Sequence, residues 1–129
     1  MTMLYSVCVT MLLGIPAMLL HECGHIAMAF LCGVKVKKVG LSRIGLYTVR
    51  EPGPRWANLC VSLAGPLFNL LLAMALRDAL PTFAWVNLIA FIFNLLPIQN
   101  SDGRRIMTLL AQGAAQARTP APELGQRAV

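Results

Sequence analysis

The first twenty residues, Met1 to Leu20, carry no charged side chain, and after a short polar interruption the apolar character continues to Cys32. A helix of about 30 residues is about 45 Å long, against roughly 30 Å for the hydrocarbon core of a bilayer. Such a segment either crosses a membrane at a tilt or is a removable leader. The leader reading lacks a basic flank ahead of the apolar run, and a His-Glu pair follows that run directly. Trp56 to Leu76 is a second uncharged stretch and Ala79 to Ser101 a third, with Pro81 and Pro97 near the ends of the latter. Both have spanning length. Composition agrees, with 57% apolar and 12% charged residues, where a soluble domain holds about 25% charged. The same figures exclude a disordered chain.

The formal charge of +6 invites a nucleic-acid reading until the positions are considered. Lys35, Lys37, Lys38, Arg43, Arg50 and Arg55 share one loop, Arg104, Arg105, Arg118 and Arg127 follow the last apolar run, and Arg77 stands by itself between two runs. That asymmetry is the positive-inside pattern, and without interleaved aromatics it does not suggest a nucleic-acid partner. It orients the chain with its N-terminus outside, residues 33 to 55 cytoplasmic, the Arg77 turn outside, and the C-terminal region cytoplasmic. Cys8, Cys23, Cys32 and Cys60 contain no CxxC pair, so disulfides and a thiolate zinc knuckle are poorly supported.

Between the first two runs, the alternation of Val34 and Val36, then Ile44, Leu46 and Thr48, predicts two short strands with a turn near Gly40 to Arg43. The expected fold is an all-α membrane protein. It has three transmembrane helices, at about 3–32, 56–76 and 82–98, and a short cytoplasmic β-hairpin at about 34–50 after the first. Residues 1–110 form one core, and 111–129, rich in Ala, Gln, Pro and Gly, read as a disordered tail.

Both histidines of the protein lie in His21-Glu22-Cys23-Gly24-His25. On a helix, positions i and i+4 share a face, so both imidazoles reach one ion. Glu22 is turned off that stripe yet stays near a water on the metal. A zinc ion so held keeps an open site for water, whose pKa falls to about 7. The bland alternative is a set of polar groups ending a helix. It is disfavoured because ionisable groups at the end of an uncharged span are expensive and mark function by default. Two imidazoles leave the site incomplete. Of Glu51, Asp78, Asp102 and Glu123, only Asp102 sits at the same depth as the histidines without being in the tail or the basic loop. A carboxylate there completes a two-imidazole, one-carboxylate site. Pro97 breaks the preceding helix, and Gly103 is expected to permit an unusual backbone angle that aims Asp102 inward. A plain exit turn at Asp102-Gly103 is the competing explanation.

The ordered set of the His21 to His25 motif, Ala64-Gly65-Pro66-Leu67-Phe68-Asn69, and Asn94 and Pro97 followed by Asp102-Gly103 resembles the site-2 protease family of intramembrane zinc metalloproteases. The resemblance covers about residues 10 to 105. It implies zinc bound by His21, His25 and Asp102, Glu22 as general base, and Asn69 beside the active site. There the Asn69 amide can bind a substrate carbonyl or stabilise the oxyanion, or else hydrogen-bond between closely packed helices. Two departures stand out: Ser101 occupies a position the family fills with an aliphatic residue, and Arg104-Arg105 follow the Asp-Gly pair.

The resulting expectation is a multi-pass zinc metalloendopeptidase that cuts membrane-protein substrates in or near their transmembrane segments, with its site toward the cytoplasm. The free edge of the hairpin would hold unwound substrate by strand addition. Three spans make a minimal core, so self-association or a regulatory membrane partner is expected to supply further lipid-facing cover. The alternatives are a non-catalytic zinc-binding adaptor or subunit of a larger protease complex, and a small protein recruiting anionic lipid through its basic loop. An adaptor has no need of Glu22, and lipid recruitment does not explain the motifs.

Overall fold

The computed structural model describes residues 2–42 and 45–118. In chain order these form α1 (Thr2–Leu31), β1 (Val36–Ser42), β2 (Gly45–Arg50), α2 (Arg55–Ala75), α3 (Pro81–Leu95) and α4 (Asp102–Arg118). α1, α2 and α3 pack against one another, the hairpin leans on α1, and α4 closes against α2 and α3.

The interior is made of small and polar residues. Ala17, Ala29, Ala57, Val61, Ala64, Ala73 and Ala84 are buried, together with His21, His25, Ser62, Asn69, Asn87 and Asp102. Met11, Leu12, Phe30, Trp56, Leu71, Met74, Trp85 and Phe93 point outward. In water this distribution would be inverted. In lipid it is expected, because hydrocarbon solvates Leu and Phe as well as a protein core does and helices associate by close approach of small residues. Gly24 is such a point: a Cβ there would lie 3.0 Å from both the Ala64 carbonyl oxygen and the Phe68 Cβ of α2.

Two helices, Met3–Leu31 and Arg55–Ala75, are long and apolar enough to cross a bilayer. The third expected span, about 82–98, is shorter: α3 has 15 residues, about 22 Å of helix. It stops at Leu95 because Leu96 precedes Pro97 and is extended, at φ −64 and ψ 139, the conformation a following proline imposes.

The hairpin forms as expected, antiparallel, but its turn lies further along the chain. Gly40 pairs with Tyr47 and Ser42 with Gly45, so Gly40 to Ser42 belong to β1. Arg43, the last residue of the expected turn, lies with Ile44 outside the described residues. The tail also differs from expectation. α4 carries helix through residues 111–118, since Ala, Gln and Arg favour helix wherever a neighbour anchors it. The anchor is Arg55, whose Nε donates to the Leu109 carbonyl at 2.8 Å. Residues 119–129 of the expected tail lie outside the described residues.

Between α3 and α4 the chain turns through Asn100, which takes a left-handed φ of 68. Ser101 then caps α4: its Oγ accepts the Arg104 N–H at 3.3 Å, the usual service of serine at a helix start. Gly103 is required for space rather than for the unusual angle expected of it. A Cβ there would run into the Leu95 and Leu96 carbonyl oxygens.

Candidate metal centre

α1 places His21 and His25 one turn apart, with ring centroids 4.7 Å apart and planes at 88°. The His25 Nδ1–H donates to the Val61 carbonyl at 2.6 Å. A carbonyl only accepts, so the proton is on Nδ1 and, in the neutral ring, Nε2 presents a lone pair. That Nε2 lies 3.1 Å from the His21 Nε2 and 3.0 Å from the Asp102 Oδ2. The His21 Nε2 to Asp102 Oδ2 separation is 3.1 Å. Three electron-pair donors from α1 and α4 thus meet at the corners of a near-equilateral triangle. Tetrahedral ligands at typical zinc distances are about 3.3 Å apart, so the donor set fits that ion in number, chemistry and spacing.

One feature of α2 makes the meeting possible. Gly65 faces the imidazoles, and a Cβ there would overlap the His25 Nε2 and come within 2.8 Å of the His21 Cε1. Asp102 opens α4 and is buried. Burial by itself would raise its carboxyl; in the metal-free protein, where protonated imidazoles take the place of the metal, hydrogen bonds from His21 and His25 and their positive charge outweigh it, holding Asp102 well below the usual carboxylate range.

Glu22 is also within reach, since its carboxylate and both imidazoles offer ligand atoms within 4.8 Å of one another. What separates the two acids is their hydrogen bonding. Asp102 sits against both Nε2 atoms, whereas the Glu22 Oε2 accepts the Thr48 Oγ1–H from β2 at 2.7 Å. Asp102 is thus the acid placed against both Nε2 atoms, and Glu22 stands beside them. Asn69 is fully buried, and neither its Nδ2 nor its Oδ1 has a partner among the described residues. It lines the same cavity as His21, Glu22, His25 and Asp102, a space of about 890 Å³. A buried amide with both ends unmade is costly and marks a place for a further polar group. The His21 Nδ1 is likewise buried and unpartnered.

The two remaining acids among the described residues form local pairs, and Glu123 lies outside the described residues. Glu51 lies 3.6 Å from Lys37, and Asp78 lies 3.3 Å from Arg77 at the α2–α3 turn. The four cysteines are free. Thr48 and Ser101 were not singled out by sequence as functional; Ser101 carried a capping signal, a serine just ahead of a helix, and Thr48 carried none.

Residues 9–80 match Peptidase family M50. The chain belongs to that peptidase family. Among its relatives, this M50 chain is 31% identical over 104 residues to a zinc metalloprotease of Methanocaldococcus jannaschii, covering 70% of the chain and 31% of that protein. It is 32% identical over 105 residues to stage IV sporulation protein FB of Bacillus subtilis, covering 71% and 36%. The solved site-2 protease from Methanocaldococcus jannaschii superposes with a TM-score of 0.71 at 29% identity, over 79% of this chain and 53% of that one. The M50 chain thus spans about a third of the length of the curated relatives it matches. The family implies zinc as the metal, in agreement with the donor set.

Proposed function

We propose that this chain is the catalytic core of an intramembrane zinc metalloendopeptidase, in which His21, His25 and Asp102 hold the metal and Glu22 is the general base. The convergence of two Nε2 atoms and one Asp102 oxygen at 3.0–3.1 Å carries the reading. Zinc bound there would polarise a water and the scissile carbonyl. With its Oε2 held by Thr48, Glu22 offers Oε1 to take the proton of the attacking water and return it to the leaving amine. The Asn69 amide N–H would donate to the substrate carbonyl oxygen as charge develops on it.

The small-in, large-out packing supports a membrane-protein substrate reached within or beside the bilayer. Tyr47, Thr48, Val49 and Arg50 of β2 line the cavity, so the edge of β2 not paired with β1 is suited to hold an unwound substrate strand. The basic loops support a multi-pass arrangement with this end of the molecule on the cytoplasmic side. Self-association or a membrane partner would cover the outward face of α1, of which little is buried.

The experiment is cleavage of a single-span test substrate by the full chain and by Glu22→Gln, with zinc measured in both. Loss of cleavage at full zinc content is expected. Equal cleavage by the two proteins, or none by either, would favour the adaptor instead.

A further inference from the structure

Beside the catalytic cavity lies a second one, of about 520 Å³, where β2, the start of α4 and the loop between α3 and α4 meet. Its charged lining is Arg50, Arg104 and Arg105, and no carboxylate lines it among the described residues. Elsewhere the described acids are engaged: Glu22 by Thr48, Glu51 by Lys37, Asp78 by Arg77 and Asp102 by the two histidines. Among the described residues Arg50 is hydrogen-bonded to a neutral hydroxyl, donating from Nη2 to the Ser62 Oγ at 3.0 Å. Burial and the nearby Arg105 push its guanidinium below the ordinary value, although Asp102 and Glu22 pull the other way. Arg50 is half-buried while Arg104 and Arg105 are exposed, and with no acid lining this pocket among the described residues the three guanidiniums present N–H groups that an anion can accept.

The position of the pocket indicates which anion. Arg50 and Arg105, with Asn58 and Asn100, line both this cavity and the catalytic one, so a polypeptide lying across the metal centre runs past them. We propose that Arg50, Arg104 and Arg105 form a subsite for an acidic side chain of the substrate, within a few residues of the cut bond. This rests on the protease reading above. Arginine suits the task because its planar fork meets a carboxylate with two parallel hydrogen bonds.

The test uses the full chain, loaded with zinc, in vesicles of neutral phosphatidylcholine and in vesicles containing anionic phosphatidylglycerol. Single-span substrates carry Asp, Asn or Lys scanned through the positions flanking the cut. At one register Asp is expected to raise kcat/KM about tenfold over Asn. The Asp-to-Asn ratio should fall toward one in Arg50→Gln and Arg105→Gln, and Arg105→Glu should shift the preference toward Lys at that same register. Because the readout is a ratio within each variant, a general loss of folding or activity does not mimic it. Equal rates for Asp and Asn at every position, or a ratio that survives both neutral variants, would overturn the proposal. So would a rate that follows phosphatidylglycerol content whatever the substrate charge, since a lipid headgroup would then be the anion. Absence of cleavage of every substrate by wild type and Glu22→Gln alike would instead remove the protease reading on which the subsite depends.

Discussion

The Thr48 hydroxyl of β2 donates to the Glu22 carboxylate of α1 across 2.7 Å, joining the hairpin to the motif that carries both histidines. One oxygen of Glu22 is thereby fixed, and in the proposed mechanism the other is left for proton transfer. Thr48→Val keeps the shape and removes the donor. It should lower kcat about tenfold, with zinc content unchanged and KM little affected, as for loss of a hydrogen bond to a charged group. Thr48→Ser should recover most of the rate. A loss of rate in the valine variant that serine does not recover would mean that Thr48 acts by packing alone.

Asp102 ties α4 to α1 through both imidazoles. Asp102→Asn should release zinc from the chain, measured as metal per chain after gel filtration, while α1 and α2 remain folded by circular dichroism. Retention of one zinc per chain would show that the aspartate is not a ligand.

The same aspartate gives a pH dependence to the metal-free protein. Its carboxyl is held below the ordinary value of 3.8. A depressed carboxyl contributes stability that is fully present above its unfolded value and is lost as pH falls through the lower folded value. Metal-free wild type in detergent should therefore lose melting temperature as the pH drops below about 4, and Asp102→Asn should lose less over that interval. Parallel acid curves for the two proteins would contradict the expectation.

Gly65 faces the histidines where a side chain has no room. Gly65→Ala should push the imidazoles off α2, destabilising the fold by about 1–3 kcal/mol and lowering zinc content. Gly14→Ala is the comparison, because a Cβ there meets nothing within 4 Å. It should be neutral or slightly stabilising. Chemical denaturation in detergent distinguishes the two, and equal responses would refute the proposed contact.

Ser101 caps α4. Ser101→Ala should destabilise by about 1 kcal/mol and loosen the start of the helix that carries Asp102, so zinc affinity should fall along with stability. A change in neither would assign the capping no role.

The sequence by itself determined the local parts. Uncharged runs located the two long helices, because every backbone polar group in lipid must be bonded within its own helix, and long helices of apolar residues meet that condition alone. The i, i+4 spacing of His21 and His25 put both rings on one face, since helix geometry does not depend on partners. Proline marked where α3 stops, although the length of that helix was overestimated, because hydropathy continues past the residue at which the backbone leaves the helix.

Only tertiary structure decided the rest. That Asp102 reaches the histidines, that Gly65 makes room for them, and that Thr48 holds Glu22 all depend on how separate segments pack, with Asp102 81 and 77 positions along the chain from the two histidines. Likewise, α4 is helical through residues 111–118, in a stretch whose composition suggested disorder, because Arg55 of α2 anchors it at Leu109. Propensity acts between neighbours in the chain; these contacts are between neighbours in space, and no local pattern encodes them.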